Sequence, residues 1–200
     1  MGRRLVVGLG NPGPEYESTW HNLGFQAVRD LAALVKTSLK SNRDALVGRG
    51  RYAGHDIFLM LPQSYMNRSG QPVKRLMREK GIDADELLVV LDDHDLPRGT
   101  LRMRTGGGDG GHRGLRSVLQ ELGGQELCRL RVGFRDAALH PEAGGHTDLA
   151  DRVLQHLSAE EKKHFDSMSA AAARAALDWV VLGPTGAMNR HNGIVIPPPG

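Results

Sequence analysis

Cysteine, aromatic residues and long apolar runs are all scarce in this sequence, and each shortage removes a class of protein. Cys128 is the sole cysteine, so no disulfide can close within the chain, which fits a reducing compartment. Its bland reading is a small buried hydrophobe beside a strand, and its sharp one a catalytic thiol. Aromatic residues make up 4% of the chain, which argues against a surface built on base stacking. No apolar stretch approaches the length of a membrane span. The apolar run Leu5 to Leu9 is too short for a signal-peptide core and is followed at once by Asn11-Pro12, so the expected location is cytoplasmic.

What remains is ordinary for a folded domain. The chain has 200 residues, 40% of them hydrophobic and 24% charged. A domain of this size buries about 70% of its unfolded surface and needs no metal or disulfide to hold it. The net charge is only +3, yet the arginines are bunched. Between positions 98 and 116 stand Arg98, Arg102, Arg104, Arg113 and Arg116 against Asp109 alone, and Arg129, Arg131 and Arg135 follow. Such a patch suits a polyanion such as nucleic acid, or else is a solvated arginine-rich face.

The pattern predicts alternating strands and helices. Arg4 to Leu9 reads as a buried strand, and Leu23, Ala27, Leu31 and Leu34 place a helix over 22–35, capped by Ser18 or Thr19. Two strands over 46–52 and 56–61 flank a turn at Ala53-Gly54. Ser69 precedes a helix that Gly81 ends. A strand over 87–91 runs into Asp92-Asp93-His94-Asp95, and a shorter one covers 100–104. A helix over 114–122 and a strand over 130–134 follow the glycine-rich stretch Gly106 to Gly111. Residues 136–147 read as a loop, Asp148 as the cap of a short helix, and Ser158 with Glu161 as a capping box for an alanine-rich helix to about Leu182. The expected fold is one α/β domain over 1–190, a mixed, mostly parallel sheet with helices on both faces, and a flexible C-terminal tail over 191–200.

In such sheets ligands gather beyond the carboxyl ends of the strands. Asn11, Asn67, Asp92 and the glycine-rich loop all follow predicted strands, and His21 opens the first helix. If those strands point one way, the groups converge. His21 with Asp92 then makes a general-base pair, the carboxylate fixing the imidazole tautomer. The bland alternative is a helix-start histidine bonded to a nearby carbonyl. No Gly-x-Ser-x-Gly elbow is present, so water is the better nucleophile candidate. Asn11 and Asn67 offer amides suited to a peptide backbone or an oxyanion. The glycine loop could cradle a phosphate with Arg104 and Arg131 as its clamp, or could simply be a mobile loop. Gly8-Leu9-Gly10-Asn11-Pro12-Gly13 also matches a dinucleotide fingerprint, though Pro12 and Pro14 break the loop where a helix should begin. The acidic run from Asp92 to Asp95 could ligate a divalent metal, but no Cys or His pair at fixed spacing supports it.

Four ordered blocks carry a resemblance. Gly8-Leu9-Gly10-Asn11-Pro12-Gly13 with Tyr16, Thr19, His21-Asn22 and Gly24-Phe25 is the first. Met66-Asn67 with Ser69-Gly70 is the second, and Asp92, Asp95-Leu96-Pro97 and Gly99 form the third. The fourth is Gly106 to His112 with Gly114-Leu115. Together they resemble the bacterial peptidyl-tRNA hydrolase family from about Leu5 to Gly133, and weakly to Asn189. The resemblance implies a monomeric single-domain enzyme with no metal or organic cofactor and no obligate protein partner. It implies hydrolysis of the ester between peptide and tRNA, recycling tRNA from aborted translation. It implies His21 as general base with Asp92 as its partner. Asn11, Asn67, Tyr16 and Met66 fall at substrate-binding positions, and Arg104 and Arg131 at positions that bind the tRNA 5′ phosphate. Two residues depart from the family's pattern: Trp20 stands where it usually has Arg, and Arg113 where it usually has a substrate-positioning Asn. Arg cannot accept a hydrogen bond, so Arg113 is expected to turn outward, toward tRNA phosphate. A non-catalytic RNA-binding relative is the alternative, and a nucleotide-dependent oxidoreductase rests on the fingerprint alone.

Overall fold

The computed structural model describes residues 2–135 and 156–198. Seven strands form one sheet in the order β2-β3-β4-β1-β5-β7-β6. They are β1 (Arg3–Gly8), β2 (Lys40–Asn42), β3 (Ala45–Tyr52), β4 (His55–Pro62), β5 (Leu87–Pro97), β6 (Leu101–Thr105) and β7 (Cys128–Arg135). Parallel pairings join β4 to β1, β1 to β5 and β5 to β7. Antiparallel pairings join β2 to β3, β3 to β4 and β6 to β7. Only β3 and β6 therefore run against the rest, and the sheet is mixed but mostly parallel.

Alternation along β1 and β5 decides which helices cover which face. Val6, Leu88 and Val90 join a cluster with α1 (Leu23–Leu34) and α4 (Ala159–His191), while Leu5, Val7, Val89 and Leu91 join a second cluster with α2 (Gly70–Lys80) and α3 (Arg113–Glu121). The helices end as the sequence predicts where glycine is needed: Gly81 takes a left-handed φ of 59° after α2. Ser158 and Glu161 form the expected capping box, and Gly183, with φ 71° and ψ 178°, breaks α4 just after Leu182. The remainder of α4, from Pro184 to His191, was not expected.

Four expectations are corrected. Thr19 precedes the 3₁₀ turn Trp20–Asn22 that leads into α1, but its hydroxyl bonds the Tyr16 carbonyl at 2.8 Å rather than capping a helix. Strand β5 does not stop at Leu91 but carries Asp92 through Asp95 within it, because both leading carboxylates are buried and find cationic or imidazole partners. Strand β6 is antiparallel, so the glycine loop leaves from the opposite edge of the sheet and must climb back across it. Within the expected tail, residues 192–196 are docked rather than loose. Asn192 bonds both the N–H and the carbonyl of Met103, at 2.7 and 3.0 Å, and the Ile196 N–H bonds Gly99. The buried His164 lies 2.9 Å from the Ile196 carbonyl. The expected loop over 136–147 and most of the helix expected from Asp148 fall outside the described residues.

Candidate active site

The site forms where β1, β4 and β5 end. After β1 the chain cannot enter a helix at once, because Pro12 and Pro14 fix a loop and a 3₁₀ turn over Pro14–Tyr16. Asn22 ties that loop down from the start of α1. Its side-chain oxygen accepts the Asn11 N–H at 2.7 Å, and its amide donates to the Asn11 carbonyl at 3.0 Å. The Asn11 side chain then reaches across to the end of β4, where its oxygen accepts the Met66 N–H at 2.9 Å. With the oxygen committed, the Asn11 amide NH₂ is the half left for a ligand.

His21 sits in the turn that Asn22 anchors, with 14% of its side chain exposed. Its Nδ1 lies 3.0 Å from both oxygens of Asp92, a residue only 3% exposed. A carboxylate can only accept, so Nδ1 carries the proton and Nε2 keeps its lone pair. Burial opposes protonation of His21, but Asp92 outweighs it and holds the imidazole above its ordinary value, while the Arg113 charge pulls the other way. Burial likewise opposes ionisation of Asp92, and two imidazoles outweigh it, keeping the carboxyl far below its usual range.

The second imidazole belongs to His112, to which the sequence assigned no role. Its Nε2 lies 3.1 Å from Asp92 Oδ1, and its ring centroid 5.1 Å from that of His21. Its Nδ1 accepts the Leu115 N–H at 3.2 Å, so the same residue caps α3. Accepting at Nδ1 requires the neutral ring, with its proton on Nε2 and aimed at Asp92. Ser, Thr, Asp and Asn are the usual caps, so no start signal marked His112. The ligand atoms of His21, Asp92 and His112 lie within 4.8 Å of one another, a spacing that could hold a metal, though each is here hydrogen-bonded to another of the three.

The other expected residues surround this triad unevenly. Met66 is buried, against the place where a Cβ on Gly114 would stand, and Asn67 beside it is exposed. Tyr16 is half-buried, its carbonyl held by Thr19. Arg113 is exposed at the first position of α3, whose first turn holds no acidic residue. A cation there opposes the helix dipole, so its placement costs stability. Trp20 is buried, stacked on Phe134 at 5.6 Å, with the Arg98 guanidinium 5.0 Å from the ring centroid. A cation thus still lies beside position 20, and the tryptophan itself is core. Arg131 pairs with Asp93 at 2.6 Å, and Arg104 is exposed on β6. Cys128 is buried, which pushes its thiol up to about 11, so it is no nucleophile.

Known proteins resemble this chain along nearly its whole length. The sequence profile described as peptidyl-tRNA hydrolase matches residues 5–198. A peptidyl-tRNA hydrolase of Syntrophotalea carbinolica is 40% identical over 193 residues, covering 96% of this chain and 98% of that one. One of Salinibacter ruber is 43% identical over 188 residues, covering 94% and 97%. The crystal structure of peptidyl-tRNA hydrolase from Acinetobacter baumannii superposes with a TM-score of 0.86 at 36% identity, covering 97% of this chain and 96% of that one.

Proposed function

Because the chain belongs to the peptidyl-tRNA hydrolase family, we propose that His21 activates the water with which it performs that family's reaction. The chain hydrolyses peptidyl-tRNA. The observation that carries the His21 assignment is its contact with Asp92: Nδ1 is committed to a buried carboxylate, so Nε2 is the free base. In the proposed step Nε2 takes a proton from water and the resulting hydroxide attacks the ester carbonyl. The Asn11 NH₂ and the exposed Asn67 amide donate to the oxyanion or to the peptide backbone. Collapse expels the 3′ ribose oxygen, which recovers the proton from the His21 imidazolium. Tyr16 and Met66 wall the site, and Arg104 with Arg131 takes the 5′ phosphate. The same reading carries a cytoplasmic monomer without an obligate partner, since peptidyl-tRNA arises at the ribosome. No helix among the described residues is long and apolar enough to cross a membrane.

Incubation with N-acylated and with free aminoacyl-tRNA tests the reading. The first should be cleaved and the second hardly at all, because a free amine cannot stand in for a peptide bond against the asparagine amides. Binding of tRNA without cleavage would favour the non-catalytic relative.

Arg113, exposed at the start of α3 and close enough for its charge to act on His21, is the residue at which the sequence departs from the pattern that the resemblance implies. We assign it to a phosphate near the scissile end, which offsets the cost of a cation at the start of α3. Arg113→Asn should weaken tRNA binding and reduce the salt slope by about one phosphate contact. It should also move the acid limb of the pH profile upward, because a charge that lowers His21's proton affinity is gone. Higher activity with unchanged RNA affinity would sink the assignment.

A further inference from the structure

Trp20 has no task in the proposed reaction, yet it stands next to the base in the chain. It opens the 3₁₀ turn Trp20–Asn22, and its carbonyl accepts the Leu23 N–H where α1 begins. Its ring is 5% exposed and is held by elements distant in sequence. Phe134 of β7 stacks on it at 5.6 Å, Phe165 of α4 meets it tilted at 5.9 Å, and the Arg98 guanidinium lies over it at 5.0 Å.

Arg98 connects this contact to the partner of the base. It directly follows β5, the strand that bears Asp92, and its N–H donates to the Arg135 carbonyl at 2.8 Å. The Trp20–Arg98 contact therefore links the same two elements as His21–Asp92, the turn before α1 and strand β5. Arg98 is braced in turn from α4. Its Nη2 lies 3.4 Å from Glu161 Oε1, between side chains only 19% and 28% exposed. The other oxygen of Glu161 accepts the Ser158 N–H at 2.9 Å in the capping box. The entry to α4 also grips the approach to the turn: the Leu157 N–H donates to the Ser18 carbonyl at 2.9 Å, and Thr19 bridges to His156.

A single 3₁₀ turn has little strength of its own, so the aim of His21 depends on what holds its two neighbours. Asn22 is tied to Asn11 on one side, and Trp20 to Arg98 on the other. That aim matters, because a displacement of about 1 Å in a catalytic group can cost about 10²-fold in rate.

We propose that Trp20 and Arg98, braced by Glu161, are positioning residues that hold the His21 turn against β5, so that Nδ1 stays on Asp92 and Nε2 stays aimed at water. This rests on the reading of His21 as the base.

Arg98→Met keeps an apolar stem beside the ring and removes the cation. With N-acylated aminoacyl-tRNA its kcat should fall about 10- to 100-fold at nearly unchanged KM. Arg98→Lys puts a cation back over the ring and should recover part of the loss. Glu161→Gln preserves the capping box and should lose kcat in the same way but less. Trp20→Leu combined with Arg98→Met should lose little more than the worse of the two alone, because both break one contact. Arg98→Met and Glu161→Gln leave the core intact, so the test stands even where Trp20→Leu does not fold. The groups facing His21 are Asp92 of β5, His112 at the cap of α3 and Arg113 in its first turn. In a loosened turn Asp92 raises the His21 pKa less while burial still lowers it. The acid limb of Arg98→Met should therefore move to lower pH, and an NMR titration of the His21 ring should move with it. Removal of a positive charge alone would move both to higher pH. A raised KM or flatter salt dependence with kcat intact would make Arg98 a tRNA contact and overturn the proposal. So would a limb that moves up, or a kcat that falls only with the folded fraction while the limb stays in place. A shifted NMR titration with kcat unchanged would instead overturn His21 as the base and leave the clamp standing.

Discussion

His21→Ala should lose about 10²- to 10⁴-fold in kcat, the usual share of a positioned general base, with its fold intact because the side chain lies at the edge of the core. The companion variant Asp92→Asn should lose rate for a different reason, and the pH profile separates the two. The reactive form is neutral His21, so kcat/KM in the wild type should rise with pH through the His21 pKa and level off above it. That limb should lie above the ordinary histidine value, since Asp92 stabilises the protonated ring more than burial penalises it. In Asp92→Asn the stabilising charge is gone while burial remains, so the limb should move to lower pH as the plateau drops. Arg113→Asn should move it the opposite way. A profile in which Asp92→Asn leaves the limb where it was would mean that another group titrates, and full activity in folded His21→Ala would end the mechanism.

The parts of this site that were legible in the sequence are those whose chemistry is local. His21, Asn11 and Asp92 follow strands or open a helix, and the topology gathers them as expected. Local pattern does not record strand direction, so the antiparallel run of β6 was invisible, and with it the way the glycine loop doubles back. The sequence pattern ends the strand where the acidic run begins, because carboxylates seldom sit inside a strand. Here two imidazoles serve Asp92 and Arg131 serves Asp93, and those partners lie 20 to 71 residues away along the chain. Strand β2 is three polar residues with no alternation to detect. The docked segment beyond α4 was hidden by its prolines, because what anchors it is tertiary: the Asn192 side chain on Met103, and the Ile196 backbone on Gly99 and His164. His112 stood in a quoted block yet drew no role, since its work is done by tertiary contact with Asp92.

The glycines of the opening block are the feature most open to misreading, and their role yields the second large effect. As a dinucleotide fingerprint they would bare backbone N–H groups to a phosphate. In the structure they let α1 lie on the sheet. A Cβ on Gly8 would stand 2.2 Å from the Gly24 carbonyl oxygen, and one on Gly10 2.6 Å from the Phe25 ring. A Cβ on Gly24 would meet backbone of β5 and of the residue that follows β1 at once, 2.4 Å from the Val90 oxygen, 2.6 Å from the Leu9 oxygen and 2.8 Å from the Leu9 nitrogen. The Leu9 N–H bonds the Val90 carbonyl at that very place, so neither strand can give way without breaking the ladder. Gly24→Ala should therefore cost about 3 kcal/mol or more, at the upper end for an overpacked site. For a domain of this length that is a fall in Tm of about 6–12 °C. Gly50→Ala is the matched control, because a Cβ there makes only ordinary contacts, at 3.5 Å or beyond, and it should melt close to wild type. Activity adds a second readout below the melting range. The turn bearing His21 leads directly into α1, so a helix pushed off β1 carries the imidazole away from Asp92, and kcat should fall in Gly24→Ala protein that is still folded. If Gly24→Ala melts within about 1 kcal/mol of wild type, the helix has room to shift, and close packing is not what the glycine serves.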